Sequence, residues 1–393
     1  MSKRFPIAIP LLAIATLTAF SCGGEGGEGQ ADPRLDQARE LAHRIIVADT
    51  HIDLPYRLRE KAEDVGERTE GGDFDYPRAV EGGLDLAFLA VFVPPSYQES
   101  GGARLLADEL IDTVEGIADD HPDKFFLATS VQEVTDLTGQ GRIALALGME
   151  NGAGIEDDLS NLSHFHSRGI RYITLAHGKS NLICDSSHDE ERQWRGLSPF
   201  GRDAVEEMNR LGMMIDVSHV TDESFFDVLE LTEAPVIASH SACRAFTPGW
   251  ERNMSDEMIR RLAESGGVIQ IPFGSSFVDG DYQRAHSGQW DEIGKYLESN
   301  SIEPDSDEAR RYRKSYFAEH PLEPAGVSAV ADQIDHVVRL VGVDHVGLGS
   351  EFDGLGESAV SGLKSVADYP NLIRELLVRG YGEQDVQLSL IHI

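Results

Sequence analysis

Cysteine is scarce in this chain. Three cysteines, Cys22, Cys184 and Cys243, occur in 393 residues. So few cysteines exclude a fold built on disulfides and a zinc site built from thiolates. The sequence does not decide whether Cys184 and Cys243 pair with each other.

Basic residues are also few, with 34 Lys and Arg against 68 Asp and Glu and a net charge of −34. A phosphate backbone would be repelled by this charge, which excludes nucleic acid as a partner. Hydrophobic residues make up 41% of the chain and aromatic residues 7%, so wholesale disorder is excluded as well.

The N-terminus carries the apolar run FPIAIPLLAIATLTAF behind Lys3 and Arg4. This run is short for a membrane span and predicts a signal peptide over residues 1–21. The following AFSC and GGEGGEGQ resemble a bacterial lipoprotein signal, with lipid on Cys22 and a flexible tether over 22–34. Secretion without lipid and an uncleaved anchor helix are the alternatives. All three place the domain outside the cytoplasm, anchored to a membrane or free in the periplasm or medium.

Apolar runs of strand length recur from residue 45 onward. They are near-continuous rather than alternating, which is typical of parallel strands buried on both faces. The runs are IIVADTH (45–51), LDLAFLAVFV (84–93), IALALGMEN (143–151), IRYITLAH (170–177), MMIDVSH (213–219), PVIASH (235–240), GVIQIPF (267–273) and HVGLGSEFDG (345–354).

Helical segments lie between these runs. Ser198, Thr221 and Ser255 stand at N-cap positions of three such segments. Pro199 in the first turn and Gly212 just past the end mark the limits of one of them.

Eight strands with intervening helices predict a single α/β domain over 35–393, a (β/α)8 TIM-like barrel. A doubly wound open sheet is the alternative, but the Gly-rich phosphate loop usual after its first strand is missing. The polar segment from about 274 to 325 predicts a long, irregular excursion between strands seven and eight. Such excursions usually cover an active site or form an interface.

Ionisable residues end the predicted strands. In a (β/α)8 barrel these ends converge on one face, where active sites are built. Core packing would not tolerate so many of them unpaired. They are His51, Asp53, Glu150, His177, His219, His240 and Asp353.

Histidines and carboxylates are ligand types for Zn²⁺ or a similar divalent ion. Five of the residues exceed the three protein ligands of a single catalytic zinc and suit two metals bridged by a carboxylate and a hydroxide. Such a pair would lower the pKa of bound water and polarise a carbonyl, leaving Asp353 to move protons. The five predicted ligands are His51, Asp53, Glu150, His219 and His240.

Each of these residues has an ordinary structural alternative. Asp49 and Asp216 precede the ligands on their strands and are predicted to orient neighbours or cap backbone groups. Glu351 lies two residues before Asp353 and could face the same side, so the choice of proton-transferring residue stays open. A lone histidine is more often a satisfied core or surface residue than a ligand. Nine of the 14 are assigned to that class: His43, His121, His164, His166, His188, His286, His320, His336 and His345.

The motifs resemble those of the membrane (renal) dipeptidase family, within the metal-dependent amidohydrolase superfamily, from about residue 40 to 387. DTHIDLP resembles the family's Asp-Gly-His-Asn-Asp-Leu-Pro motif, and GMENG its glutamate-bearing turn. GLSPFGRDAVEEMNRLGMMIDVSHV is close to the family pattern over its whole length and is highly specific. SHSACRA, ERNMSDEMI and VGLGSEFDG follow in the expected order.

The resemblance implies a zinc dipeptidase with two zinc ions per chain, and it suggests a homodimer. His51 and Asp53 would hold one zinc, His219 and His240 the other, and Glu150 would bridge the pair together with a hydroxide.

The resemblance also implies substrate-binding roles. His177 would contact the substrate carbonyl or the oxyanion, and Arg252 would hold the terminal carboxylate, which its planar fork matches. A surface ion pair is the structural alternative for Arg252, and Arg244 is a weaker candidate for the same role. Asp353 would take a proton during attack of the bridging hydroxide and deliver it to the leaving amine.

Three positions depart from the family pattern. Ile52 stands where Asn is common, which predicts a change in polarity near the site, and Glu351 replaces the commoner Asp before FDG. The ending QDVQLSLIHI lacks the family's Gly-Gly-Asn segment and predicts a truncated or atypical C-terminus.

The sequence therefore predicts an exported bacterial metallodipeptidase that hydrolyses dipeptides. Because the family tolerates D-residues at the C-terminal position, dipeptides ending in a D-residue are included. An amidohydrolase acting on N-acyl amino acids is one alternative, and a non-catalytic lipoprotein binding module on the same barrel is the other. The presence of all five ligands together with Asp353 argues against the binding module.

Overall fold

Parallel strands form one sheet whose order follows the chain, β1-β2-β4-β5-β6-β7-β8-β9, with β3 paired beside the first half of β4. The computed structural model describes residues 32–304 and 306–391. The strands are β1 Ala48–Ile52, β2 Leu86–Phe92, β3 Phe125–Leu127, β4 Ile143–Glu150, β5 Ile170–Thr174, β6 Met214–Asp216, β7 Ile237–Ala238, β8 Val268–Ile271 and β9 Val346–Leu348. All eight predicted strands are present, and β3 is an addition.

The sheet curls until its first and last strands meet. Backbone hydrogen bonds join the two ends: the Asp53 amide donates to Phe352 O at 2.9 Å and the Glu351 amide to His51 O at 3.0 Å. The predicted TIM-like barrel is thereby confirmed. All the carboxyl ends of its strands lie on one face, since every strand pair is parallel.

Helices make up most of the rest of the domain, and the majority of them cover the outside of the barrel. Within the described ranges they are α1 Pro33–Ala42, α2 Leu54–Glu60, α3 Tyr76–Gly82, α4 Ser96–Ser100, α5 Ala103–Asp120, α6 Val131–Leu137, α7 Ser160–Ser167, α8 Pro199–Leu211, α9 Asp222–Leu231, α10 Asp256–Glu264, α11 Ser275–Val278, α12 Gly280–Ser299, α13 Asp307–Glu319, α14 Val327–Val341, α15 Tyr369–Arg379 and α16 Glu383–Ile391. The main core lies between these helices and the outward-facing side chains of the strands.

The predicted helix caps are confirmed. Ser198 Oγ accepts the Gly201 amide at 2.8 Å at the start of α8, and Gly212 ends that helix with φ of 73°. Thr221 and Ser255 cap α9 and α10 in the same way. These caps supply acceptors for amides that lack a partner inside the helix.

The excursion between β8 and β9 is helical rather than irregular, so that part of the prediction was wrong. It contains α11, α12 and α13. Ile293, Leu297 and Ala309 are buried in a small core separate from the barrel core. Aromatic side chains add to it; the rings of Tyr296 and Tyr312, for example, stack at 3.8 Å. The helices are stabilised by this local packing of a few apolar and aromatic side chains. The polar composition of residues 274–325 gives no sign of it.

Several sequence predictions concern the two ends of the chain. The signal peptide, Cys22 and residues 22–31 of the tether lie outside the described residues, as do residues 392–393. Residues 33–34, assigned to the tether, belong instead to α1, where Arg34 Nη1 donates to Leu377 O at 2.9 Å. Among residues 32–304 and 306–391, no helix has the length and apolar character needed to cross a bilayer. Cys184 and Cys243 are buried free thiols.

Candidate metal centre

Glu150, the last residue of β4, lies at the centre of the strand-end cluster and is almost fully buried. One carboxylate oxygen, Oε1, lies 3.1 Å from His219 Nε2 and 3.3 Å from His240 Nε2. The other oxygen, Oε2, lies 3.6 Å from His51 Nε2. The two oxygens of one carboxylate therefore face two different groups of donor atoms.

The group that faces Glu150 Oε2 contains His51 and Asp53. His51 Nε2 lies 3.8 Å from Asp53 Oδ1 and 3.6 Å from Glu150 Oε2. Asp53 occupies the N-cap position of α2, yet its side chain accepts no capping hydrogen bond. Its carboxylate is thus available for another partner.

The distances between the donor atoms, and their burial, show whether a metal ion fits among them. Ligand atoms about 2.0–2.2 Å from a tetrahedral zinc lie roughly 3.3–3.6 Å apart. The spacings above lie within a few tenths of an ångström of that range. The His219 Nε2 to His240 Nε2 distance is shorter, at 2.7 Å. His51 Nε2 and Glu150 Oε1 are buried and have no hydrogen-bond partner among the described residues. Converging nitrogen and oxygen donors left unsatisfied in this way fit a divalent cation.

Electrostatics around His51 and Glu150 also favour a positive charge. Burial opposes protonation of His51, but the charges of Glu150 and Glu351 outweigh it and raise the pKa of His51 to about 10. Burial would raise the pKa of Glu150, yet His177 and His51 hold it well below its usual range. The cluster therefore stabilises a proton, or a cation in its place.

The other two histidine ligands are held neutral. Burial lowers the pKa of His219 and of His240 well below the usual value, and the positive charge of Arg252 adds to the effect. A neutral imidazole is the form that binds metal.

Glu351 and Asp353 occupy different places, although the sequence left open which of them serves the centre. Glu351 Oε2 lies 3.6 Å from His51 Nε2 and 3.6 Å from His240 Nε2. Burial raises the pKa of Glu351 to about 7, although His51 opposes the shift. Glu351, His51, Glu150 and His240 together offer converging metal-binding atoms.

The carboxylate of Asp353 contacts Arg57 and the Asp73 amide rather than these donors. Its Oδ2 lies 3.0 Å from Arg57 Nε, and its Oδ1 accepts the Asp73 amide at 2.6 Å. Its own amide donates to Asp73 Oδ2 at 2.9 Å. Asp353 therefore ties the turn after β9 to α2 and to the loop before α3.

His177 follows β5 and is the most open residue of the cluster, with a side chain 26% exposed. Its Nε2 lies 3.6 Å from Glu150 Oε1. The ring packs edge-on against Phe92, with centroids 4.8 Å apart. This position lets a ring nitrogen face a molecule that enters from solvent.

Arg252 is buried beside the histidines, which excludes a surface ion pair. Its Nη1 donates to Ser241 Oγ and its Nη2 to His240 O, both at 2.7 Å. Its guanidinium lies 5.1 Å from the centroid of the Phe277 ring. Arg244, the weaker candidate for the carboxylate role, is engaged by Asp222 through both terminal nitrogens at 2.7 and 2.5 Å.

Three residues that lie near the centre were not predicted to belong to it. His188, assigned to the ordinary histidines, has its ring centroid 5.3 Å from that of His219. Tyr172 and Ser239 carry no motif of their own in the sequence, yet they contact ring nitrogens of predicted ligands. A signal was available for Ser239, because it directly precedes His240 on the same strand end.

Ile52 does not alter the polarity of the site, contrary to the expectation from the family pattern. It is fully buried in the main core and forms a bridge to Phe352. Alternate residues of a strand face opposite sides, so His51 points to the barrel interior and Ile52 to the helices.

The family model for membrane dipeptidase (peptidase family M19) matches residues 35–391. The chain belongs to this family. The resemblance inferred from the motifs is confirmed, and the protein is a metallodipeptidase.

Relatives in sequence are dipeptidases of fungi and mammals. Dipeptidase tcpJ of Claviceps purpurea (strain 20.1) is 32% identical over 376 residues, spanning 90% of this chain and 79% of that protein. Dipeptidase 3 of Mus musculus is 31% identical over 367 residues, spanning 91% of this chain and 65% of that protein.

Solved structures of bacterial peptidases share the fold. The probable dipeptidase PvdM from Pseudomonas aeruginosa superimposes with a TM-score of 0.78 at 28% identity, covering 91% of this chain and 96% of that one. A metallo peptidase from Rhodobacter sphaeroides gives a TM-score of 0.72 at 25% identity, with coverages of 88% and 96%. That protein is liganded with a phosphinate mimic of the dipeptide L-Ala-D-Ala.

Proposed function

We propose that this metallodipeptidase uses two zinc ions and hydrolyses dipeptides, including those with a C-terminal D-residue. The observation that carries the proposal is the position of Glu150, whose Oε1 faces His219 and His240 and whose Oε2 faces His51. A carboxylate placed between two donor groups is suited to bridge two cations. His51 and Asp53 would hold one ion, and His219 and His240 the other.

When bound, the ions supply Lewis-acid polarisation of the substrate carbonyl and a lowered pKa for the attacking water. Arg252 would bind the terminal carboxylate of the dipeptide, since its buried guanidinium lies beside the centre and its Nε has no hydrogen-bond partner among the described residues. His177 would donate a hydrogen bond to the carbonyl oxygen as negative charge develops there.

Glu351 rather than Asp353 is assigned the proton transfer. Its carboxylate faces the centre, whereas that of Asp353 is held by Arg57. Glu351 would accept a proton from the attacking water while the new C–O bond forms. The same proton would then pass to the amine nitrogen as the C–N bond breaks, so that two amino acids are released.

Acceptance of a C-terminal D-residue is supported by the Rhodobacter sphaeroides relative and its L-Ala-D-Ala mimic. A panel of L-Ala-L-Xaa and L-Ala-D-Xaa dipeptides, run beside N-acetyl amino acids, tests the substrate class. Zinc per chain is measured on the same preparation, purified without chelator. Two zinc ions and turnover of both dipeptide series are expected. Turnover of the N-acetyl amino acids alone would contradict a dipeptidase.

We further propose export with a lipid on Cys22, supported by the AFSC motif after an apolar run. Labelling with a radioactive fatty acid in the native host should mark the wild type and not a Cys22→Ala variant. A homodimer is proposed from the family resemblance, and light scattering of the purified protein tests it.

A further inference from the structure

Tyr172 on β5 contacts His51 from inside the barrel. Its hydroxyl donates to Thr50 O at 2.9 Å and lies 3.0 Å from His51 Nδ1. A carbonyl oxygen can only accept, so the single hydroxyl proton is used by Thr50. The phenol oxygen must then accept from His51, which places a proton on Nδ1.

The position of Tyr172 is closely defined by packing. The residue is fully buried, and its ring lies 5.3 Å from that of Phe88. A Cβ added at Gly148 would come within 2.0 Å of the Tyr172 ring, so glycine at this position leaves the space that the ring fills. The hydroxyl is thus held in place next to His51.

A second chain of hydrogen bonds reaches His240. Ser239 Oγ donates to Asp216 Oδ2 at 2.5 Å and lies 2.8 Å from His240 Nδ1. Since the serine proton is directed to the carboxylate, His240 Nδ1 must donate to Ser239. The proton of this ring is again on Nδ1.

Asp216 fixes the direction of that chain. Its Oδ1 accepts the amides of Ser218 and Ser239 at 3.0 and 2.8 Å. Its Oδ2 accepts the hydroxyls of Thr174 and Ser239, both at 2.5 Å. All four hydrogen bonds are donated to the carboxylate, which leaves Ser239 Oγ as the acceptor for His240.

We propose that Tyr172 and the Asp216–Ser239 pair are positioning residues that fix the Nδ1–H tautomers of His51 and His240. Once a metal ion takes the place of any proton on Nε2, each ring directs the lone pair of Nε2 toward the metal site beside Glu150, one from each donor group. A free neutral imidazole divides between two tautomers, and only one of them presents this lone pair. The inference rests on the proposed metal centre and adds to it the groups that prepare two of its ligands.

The test compares Tyr172→Phe and Ser239→Ala with the wild type, using zinc affinity measured by competition with a chromophoric chelator. Loss of such an outer hydrogen bond typically weakens metal binding by about 10-fold to 100-fold. Tyr172→Phe should weaken chiefly the binding step that involves His51, and Ser239→Ala the step that involves His240. Ser239→Thr keeps the hydroxyl and should restore the affinity.

Matched controls separate this effect from a loss of stability. Tyr369→Phe removes a buried hydroxyl bonded to Asp49, and Ser224→Ala removes a buried hydroxyl on α9. Neither hydroxyl contacts a ring nitrogen of a ligand. The controls should match the test variants in the thermal stability of the metal-free protein while keeping wild-type zinc affinity.

A second readout observes the tautomers directly. Long-range ¹H–¹⁵N correlation spectra of metal-free protein labelled at the histidine nitrogens should show a proton on Nδ1 of His51 and on Nδ1 of His240 in the wild type. The pattern at His51 should change in Tyr172→Phe, and that at His240 in Ser239→Ala. Unchanged tautomers with affinities within about twofold of wild type would overturn the inference alone. A wild type that binds no divalent metal would overturn the proposed function as well.

Discussion

The carboxylates of Glu351 and Asp353, only two residues apart, have different partners in the turn after β9. Glu351 Oε2 lies 3.6 Å from His51 Nε2, and Asp353 Oδ2 lies 3.0 Å from Arg57 Nε. Both residues have φ of 66°, in the left-handed region that side chains other than glycine rarely adopt. The turn therefore places the Glu351 carboxylate beside the predicted metal ligand His51 and the Asp353 carboxylate in contact with Arg57.

Glu351→Gln should lower kcat by about 10²-fold to 10⁴-fold, the usual contribution of a positioned acid or base. The amide keeps the shape of the side chain but cannot accept and return a proton. Zinc content and thermal stability should stay at wild-type values, because Glu351 is not among the proposed ligands. Steady-state kinetics on L-Ala-D-Ala with parallel metal analysis measure both. Wild-type kcat in this variant would return the proton-transfer role to Asp353.

Asp353→Asn should act mainly on stability. Removing one partner of a buried ion pair costs roughly 3–5 kcal/mol. The cost here should fall below that range, because Arg57 Nη1 also contacts Glu63 at 2.9 Å and Gly71 O at 3.0 Å. Urea unfolding of the variant and of the double variant Arg57→Gln/Asp353→Asn measures the coupling. Additive losses in the double variant would show that the pair does not act as a unit.

Arg252→Lys should raise KM for dipeptides by about 10-fold to 100-fold, which corresponds to loss of a charged hydrogen bond of roughly 1.5–3 kcal/mol. A lysine ammonium is a point charge and cannot reproduce the planar fork. Dipeptide amides, which lack the carboxylate, should bind weakly to the wild type and no more weakly to the variant. Arg244→Lys, a change at the arginine already engaged by Asp222, serves as the control. An equal effect on dipeptides and their amides would count against the carboxylate role.

The barrel and most of the cluster could be predicted from the sequence because they depend on local rules. Buried parallel strands have apolar runs, and the caps of α8 depend on Ser198 and Gly212 alone. The short strand β3 was missed because three residues, Phe125–Leu127, carry too little pattern. The helices α12 and α13 were missed because their few apolar residues pack against each other and not against the barrel.

The orientations of single side chains at the strand ends could not be predicted. Alternation along an extended strand suggests that Glu351 and Asp353 face the same side, but their left-handed backbone breaks that alternation. The contacts of Tyr172 with His51, 121 residues apart in the chain, likewise arise only when the barrel closes.

Removal of metal should destabilise the fold. A ligand at 1,000 times its Kd stabilises the native state by about 4 kcal/mol, and a second independent ion adds to that. Thermal unfolding after treatment with a chelator should therefore occur at a lower temperature, and added zinc should restore the wild-type value. His219→Ala removes a ligand of one proposed ion and should recover only part of the stabilisation. Full recovery in His219→Ala would contradict a second ion held by that histidine.

Asp85, which directly precedes β2, provides a prediction on pH and stability. Its Oδ2 accepts the Val47 amide at 3.0 Å at the start of β2, and burial raises its pKa to about 6. The folded state therefore binds a proton more tightly than the unfolded state, whose pKa is near 3.8. The stability contributed by this group is greatest at low pH and is lost as pH rises through about 6, because the buried carboxylate must then be charged.

Asp85→Asn removes this charge and keeps an oxygen that can accept the Val47 amide. The free energy of unfolding should rise by about 1–2 kcal/mol at pH 8 and by a smaller amount at pH 5, where the folded aspartate is largely protonated although the unfolded one is already charged. Urea unfolding at the two pH values measures the difference. Asp123→Asn makes the same substitution at an exposed turn position and is the matched control. A gain of equal size at pH 5 and pH 8 would mean that the charge of Asp85 is not its cause.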